Sequence, residues 1–129
     1  MALFRRACAE AARGSRARLG ELVPAGTSTF HWFPIAAERE AQAGLCHAHL
    51  PLVAFTRVAP QPGQPLSGFV DAPMWTGGFA SVGLRVLTVK ELSTPMEQVD
   101  LRGLSRVELA QIRHWRPEVL GDLLFNWWD

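Results

Sequence analysis

The chain has 129 residues, of which 48% are hydrophobic and 19% charged, and its formal net charge is +1 at pH 7. This composition is typical of a globular domain and excludes intrinsic disorder, while the length suits one domain with a sizeable core. The balanced charge provides no net field that would attract nucleic acid, and no apolar run approaches the roughly 20 residues that span a bilayer.

Residues 1–23 form a basic, alanine-rich segment that contains five arginines and two acidic residues, Glu10 and Glu21. The apolar stretch of a secretory signal peptide is missing. An organelle transit peptide is the alternative, although Glu10 argues against it, because such peptides are poor in acids. We therefore expect a basic N-terminal helix or arm, followed after Pro24 by a single compact domain over residues 24–129.

Four segments of the predicted domain have the composition of β-strands, with β-branched or aromatic residues. They cover residues 29–33, 50–58, 69–71 and 84–89. One helix is expected from Ile35 to Ala43, because Pro34 favours the first turn of a helix. Another is expected from Asp71 to Val82, with Asp71 as its N-cap. The pattern predicts an α/β (or α+β) fold in which helices cover a small mixed sheet.

The connections between these elements allow two topologies. The order strand, helix, strand over residues 69–89 is typical of a right-handed crossover in a parallel or mixed sheet. Alternatively, the proline- and glycine-rich loop at residues 59–68 joins two antiparallel strands in a looser α+β arrangement.

The C-terminal quarter predicts a helix-Pro-helix pair packed over the sheet. Ser105 and Glu108 have the spacing of a capping box at the start of the first helix. Pro117 should end that helix, because the residue before a proline avoids helical geometry, and it can begin the second helix. Trp127 and Trp128 diverge by about 100° on a helix, so we expect one ring in the core and the other at an interface.

His47 and His49 are the clearest candidates for metal ligands. In an extended segment, residues two apart point to the same face, so both imidazoles could bind one metal ion. A zinc site needs at least three protein ligands, and Cys46, His31 or Asp71 would have to supply the third. The structural alternative is that both histidines belong to a polar edge of the sheet.

The sequence shows no complete set of catalytic residues. It therefore favours a small soluble intracellular module, with a binding or regulatory role, that acts through protein–protein contacts. Its binding residues would be the exposed aromatic side chains of Trp32, Trp75 and Trp128, together with the proline-rich loop. A DNA-reading helix-turn-helix is not expected, since Glu118 and Asp122 in the second C-terminal helix would be repelled by phosphate.

The alternative function is a small hydrolase, with or without a bound metal, that uses His31, His47, His49 and Asp71. His31 could act as an acid or base, and Asp71 could supply a catalytic carboxylate. Each also has a structural explanation, since His31 can bond to the backbone and Asp71 can cap a helix. The chain contains no serine-nucleophile motif and no phosphate-binding glycine loop.

Cys8 and Cys46 are the two cysteines of the chain, and their spacing matches neither a disulfide framework nor a redox motif. We therefore expect a reducing, cytoplasmic location. The expected partner is a protein, with no membrane and no nucleic acid. Cofactors and the oligomeric state stay open.

Overall fold

A computed structural model describes residues 4, 6, 18–26, 28–36, 41–66, 68–73, 76 and 79–127. These residues form the strands β1 (Arg18–Leu19), β2 (Phe30–Ala36), β3 (Ala43–His47), β4 (Leu52–Thr56), β5 (Phe69–Val70) and β6 (Arg85–Val86). They also include the helices α1 (Val89–Leu92), α2 (Arg106–Trp115) and α3 (Leu120–Leu124), with 3-10 turns at Ala80–Val82 and Met96–Gln98.

The strands form one sheet in the order β1-β2-β3-β4-β5, in which all neighbours are antiparallel. β6 pairs with β4 in parallel. The prediction of a small mixed α/β fold is confirmed. β5 pairs with the second half of β4 and β6 with the first half, so both occupy the same edge of that strand. The crossover predicted over residues 69–89 is therefore wrong, whereas the loop at residues 59–68 does join antiparallel strands.

Pro34 lies within β2, and the helix predicted from Ile35 to Ala43 is wrong. Ile35 continues β2 and Ala43 begins β3, with residues 37–40 outside the described part. The backbone N–H of Ile35 donates to the carbonyl of Gln42 at 2.8 Å. Because successive backbone groups point to opposite sides of a strand, the nitrogen of Pro34 points away from β3, and this pairing tolerates the missing N–H.

Both faces of the sheet are buried. One face carries Leu45 opposite Ala54 and is covered by Leu92 of α1 and by Phe125, the residue after α3. The buried residues of the other face and its cover include Phe4, Phe33, Val53, Phe55, Phe79 and Leu84. Enclosure on both sides explains why β3 and β4 are nearly continuous runs of buried residues.

Asp71 caps a helix, but not the helix that the sequence predicts. Its Oδ1 accepts a hydrogen bond from the backbone N–H of Val89 at 2.9 Å, at the start of α1. Thr88 and Glu91 form a capping box at the same place. Asp71 therefore ties the end of β5 to the helix that follows β6.

The helix predicted over residues 71–82 is wrong in its described part, where Ala80–Val82 is a 3-10 turn that ends at Gly83 with φ of +87°. The strand predicted over residues 84–89 is shorter than expected, since only Arg85–Val86 pairs with β4. β5 is antiparallel to β4 and β6 is parallel to it, so the chain reverses direction between β5 and β6. Tight turns allow this reversal, whereas a crossover helix would join two parallel strands.

α2 begins with the capping box that the sequence predicts, since the Ser105 and Glu108 side chains each accept a hydrogen bond from the other's backbone N–H. The helix ends at Trp115, and Arg116 adopts the left-handed conformation with φ of +51°. No residue of α2 is buried. This helix therefore contributes little to the core.

α3 begins at Leu120, so Pro117 lies in the connection and not in the first turn as expected. Gly121 is buried, and a Cβ at this position would lie 2.8 Å from the ring of Phe69 in β5. Phe125 follows the helix and is 1% exposed. Of the two C-terminal helices, α3 packs closely on the sheet.

The N-terminal segment joins the sheet and the core at the points that are described. β1 pairs with the end of β2, and Val23 forms a further antiparallel bridge to Trp32. Phe4 is buried, with its ring centroid 5.3 Å from that of Phe33. Most of the helix or arm predicted for residues 1–23 lies outside the described residues.

Candidate functional site: a groove beside the proline-rich loop

An open groove of about 540 Å³ lies between the proline-rich loop and the C-terminal segment. The side chains that line it include those of Pro65, Leu66, Trp115, Arg116, Pro117, Phe125 and Trp127. Three aromatic and two proline rings are thus part of its walls. A concave, mainly apolar surface with a few polar groups is typical of binding sites.

Trp127 joins the two walls of the groove. Its indole Nε1–H donates to the backbone carbonyl of Gln64 in the loop at 2.7 Å. Its ring packs edge-on against Phe30, with the centroids 5.3 Å apart. Because Phe30 is buried in the sheet, the loop and the C-terminal segment are both held against the core.

Asn126 anchors the C-terminal wall to the residue before β2. Its backbone N–H donates to Thr29 Oγ1 at 3.0 Å, and the backbone N–H of Thr29 donates to the carbonyl of Asn126 at 2.9 Å. The side-chain amide of Asn126 donates to the carbonyls of Asp122 and Leu123. These bonds satisfy carbonyls at the end of α3 and fix the position of this wall.

Trp115 lies at the rim of the groove and is 47% exposed. Its Nε1–H donates to Gln111 Oε1, one helical turn earlier, at 2.7 Å. This hydrogen bond restricts rotation of the indole, so a large apolar side chain is held in place while almost half of it faces water. Sequence reasoning misses Trp115, although a tryptophan in the last turn of a helix, directly before Arg-Pro, is the signal that could have identified it.

The charged groups that line the groove are Arg116, Glu118 and Asp122. Asp122 Oδ2 accepts a hydrogen bond from the backbone N–H of Glu118 at 3.3 Å. Within the described residues, no salt bridge involves Arg116. All three charged groups belong to the C-terminal segment. This wall of the groove therefore carries one guanidinium group and two carboxylates.

His47 and His49 lie close together at the end of β3, with ring centroids 6.0 Å apart. His47 Nδ1 accepts hydrogen bonds from the backbone N–H groups of His49 and Leu50, each at 3.1 Å. Among the residues that the structure describes, no three His, Cys, Asp or Glu side chains form a group that could hold a metal ion. The metal site at His47 and His49 stays a prediction.

The structure does not bring His31 and Asp71 to His47. His47 is paired with Phe30 across β2 and β3, so the next residue, His31, points to the opposite face of the sheet. His31 Nδ1 accepts a hydrogen bond from the backbone N–H of Ala25 at 2.7 Å. Asp71 lies at the start of α1. The four side chains named for a hydrolase are therefore distributed over two faces of the sheet and one helix end.

Cys46 is a free thiol that is 4% exposed, on the same face of the sheet as His31. Burial raises the pKa of this thiol to about 11, so it stays protonated at neutral pH. Protonated and enclosed, Cys46 acts as a small apolar side chain of the core.

Of the three tryptophans predicted to bind a partner, the structure describes Trp32. Trp32 is partly buried and packs against the cluster that contains Phe30 and Phe125. Trp75 and Trp128 lie outside the described residues, and their binding role stays a prediction.

No protein family, curated protein or solved structure matches this chain. In the described part of the chain, no helix is both long and apolar enough to cross a membrane.

Proposed function

We propose that this protein is a binding module that recognises a protein partner at the groove between the proline-rich loop and the C-terminal segment. The observation that carries the proposal is Trp115, which is 47% exposed at the rim of the groove. Tryptophan is among the side chains that most often dominate the binding energy of protein interfaces. Covering this ring and the proline rings beside it would remove a continuous apolar surface from water.

The groove is well organised before a partner arrives. Trp127 ties the loop to the C-terminal segment through Gln64, and Asn126 ties that segment to Thr29. Proline residues in both walls restrict the backbone further. A preformed site loses less conformational entropy on binding, which raises the affinity that a given contact area can provide.

A cytoplasmic location is part of the proposal. Its support is Cys46, a buried free thiol, together with the absence of a disulfide framework from the cysteine spacing.

Photo-crosslinking in native cells tests the proposal directly. Benzoylphenylalanine replaces Pro65 in the wall of the groove, and in a matched protein it replaces Lys90, an exposed residue of α1. We expect a defined protein to cross-link from position 65 and not from position 90. The same cross-link should be lost when Trp115→Ala is added, because truncation of an interface tryptophan typically weakens binding by at least about tenfold.

Trp115→Phe provides the control for loss of folding, since it keeps an aromatic ring and should retain most of the cross-link. Thermal melting of both variants should match that of the wild type within a few degrees, because Trp115 is not buried. Equal cross-linking from positions 65 and 90, or a cross-link that survives Trp115→Ala, would contradict the proposal.

A further inference from the structure

The outward face of α2 continues from the rim of the groove. At about 100° of rotation per residue, Leu109 and Ile112 face the domain, and both are half-buried. The opposite side of the helix consists of Val107, Ala110, Gln111 and His114, all of them exposed. The most apolar of these side chains, that of Val107, is 71% exposed. We call these four residues, with the arginines that flank them, the α2 face.

Three arginines give this region its charge. Arg106 and Arg113 are seven residues apart, so they lie on one edge of the α2 face, two helical turns from each other, and Trp115 lies on the opposite edge. Arg116 follows directly after the helix and lines the groove. In the described part of the chain, salt bridges join Arg85 to Glu91 and Arg102 to Asp100, and none involves these three arginines.

The one carboxylate of α2 does not neutralise these arginines. Glu108 lies on the other side of the helix axis from Arg106 and Arg113 and accepts the backbone N–H of Ser105 at 3.1 Å. It therefore serves the capping box at the start of the helix. The α2 face therefore has a positive edge without an ion pair among the described residues, next to an exposed strip that contains the apolar side chains of Val107 and Ala110.

We propose that the partner bound at the groove also lies across the α2 face with an acidic segment, whose carboxylates pair with Arg106, Arg113 and Arg116. This inference rests on the proposed function and adds the chemistry of the partner. Guanidinium groups form well-oriented, often bidentate hydrogen bonds with carboxylates. Complementary charge of this kind speeds the encounter and fixes the register of a complex.

A protein fits this distribution of charge better than a nucleic acid does. Glu118 and Asp122 line the groove beside Arg116, so a phosphate backbone with uniform negative charge would meet carboxylates as soon as it entered. A protein segment can place single carboxylates at the three arginines and neutral or apolar residues beside Glu118 and Asp122. The formal net charge of +1 also provides little attraction for nucleic acid.

The test uses a phage-displayed library of random linear dodecapeptides, selected on the full chain and counter-selected on Trp115→Ala. We expect the selected peptides to be enriched in Asp and Glu relative to the unselected library. The most frequent peptide is then synthesised with a fluorescent label, and its dissociation constant is measured by anisotropy for each variant. Arg106→Gln and Arg113→Gln should each weaken binding by about threefold or more, in the range of exposed ion pairs at interfaces.

Lys90→Gln is the matched control, because it removes one exposed positive charge from α1 and should leave the affinity unchanged. Raising the salt concentration should weaken binding to the wild type more than binding to the Arg106→Gln, Arg113→Gln double variant. Circular dichroism should show the same helix content for all variants, since the substituted side chains are exposed.

The outcomes separate this inference from the proposed function. Peptides that depend on Trp115 but show no acidic enrichment, or no loss with the arginine variants, would overturn the acidic partner and leave the binding module in place. Failure to select any peptide that depends on Trp115 would overturn both. Tighter, arginine-dependent binding of a labelled oligothymidylate would overturn the protein partner in favour of a nucleic acid.

Discussion

The ring of Phe33 in β2 lies directly across Gly44 in β3. The two residues are paired in register, and a Cβ built on Gly44 would overlap Cζ of the ring and lie 2.6 Å from Cε1. On its other side the ring contacts Phe4, whose centroid is 5.3 Å away. The absence of a side chain at position 44 is therefore what allows Phe33 to lie flat against the sheet and to be 2% exposed.

Gly44→Ala should destabilise the fold by about 1–3 kcal/mol, because the added methyl group has to displace a buried ring from a packed core. Urea denaturation followed by fluorescence measures this change. Gly103→Ala is the control, since a Cβ at Gly103 meets no atom within 4 Å. The free energy of unfolding of this variant should be nearly that of the wild type. In a Phe33→Leu background the cost of Gly44→Ala should become smaller, and equal costs in the two backgrounds would contradict the explanation.

Gly121→Ala should also destabilise the fold, by about 1 kcal/mol. A Cβ at this position would lie 2.8 Å from Phe69 Cε2 and 3.2 Å from the backbone carbonyl of Leu92 at the end of α1. Alanine gains about 1 kcal/mol of helix propensity over glycine in a long helix, but the five residues of α3 retain only part of that gain. Thermal melting measures the result, and a variant as stable as the wild type would show that Phe69 can move aside.

Local sequence signals predict the start of α2 and part of the sheet. Ser105 and Glu108 satisfy each other within four residues, so their capping box needs no distant partner. The same spacing occurs at Thr88 and Glu91, where it is obscured by the apparent alternation of the preceding strand. Capping chemistry overrides alternation there, because the unpaired N–H groups at the start of a helix require acceptors.

Structural features that depend on residues far apart in the chain could not be predicted from the sequence. Pro34 is compatible with the first turn of a helix, and its position in β2 depends on pairing with β1 and β3. The groove depends on a hydrogen bond between Trp127 and Gln64, which are 63 positions apart in the chain. No spacing rule relates such residues, so the sequence could indicate that the C-terminal aromatic residues dock but not onto which segment.

The buried thiol of Cys46 should make the fold less stable at alkaline pH. Burial raises the pKa of this thiol from 9.0 to about 11, so between these values the unfolded chain releases a proton that the folded chain retains. The stabilisation is complete below pH 9 and is lost as the pH rises through 11, by up to about 3 kcal/mol. Denaturation at a series of pH values measures this loss.

The composition of the chain makes this alkaline titration unusually clean. The chain contains no tyrosine and a single lysine, Lys90, so in a Cys8→Ser background few other groups titrate between pH 9 and 11. Cys46→Ala in that background should flatten the alkaline slope, whatever its effect on stability at pH 7. A slope that persists without the Cys46 thiol would show that another group is responsible. Slow reaction of Cys46 with a thiol reagent in the folded state is the independent check.

Arg116→Gly should stabilise the fold and weaken binding. Arg116 ends α2 in the left-handed conformation with φ of +51°, which costs a residue with a side chain about 1 kcal/mol relative to glycine. Glycine should therefore raise the free energy of unfolding by up to about 1 kcal/mol. The substitution also removes the guanidinium group from the wall of the groove, so the partner or a selected peptide should bind about threefold more weakly.

Arg116→Lys separates the two effects, because it keeps a positive charge and a side chain in the left-handed conformation. It should match the wild type in stability and lose less affinity than Arg116→Gly. Opposite effects of Arg116→Gly on stability and on binding would support a contact between this side chain and the proposed partner. A glycine variant that gains stability and binds as tightly as the wild type would assign Arg116 no part in recognition, and would confine the site to Trp115 and the apolar walls.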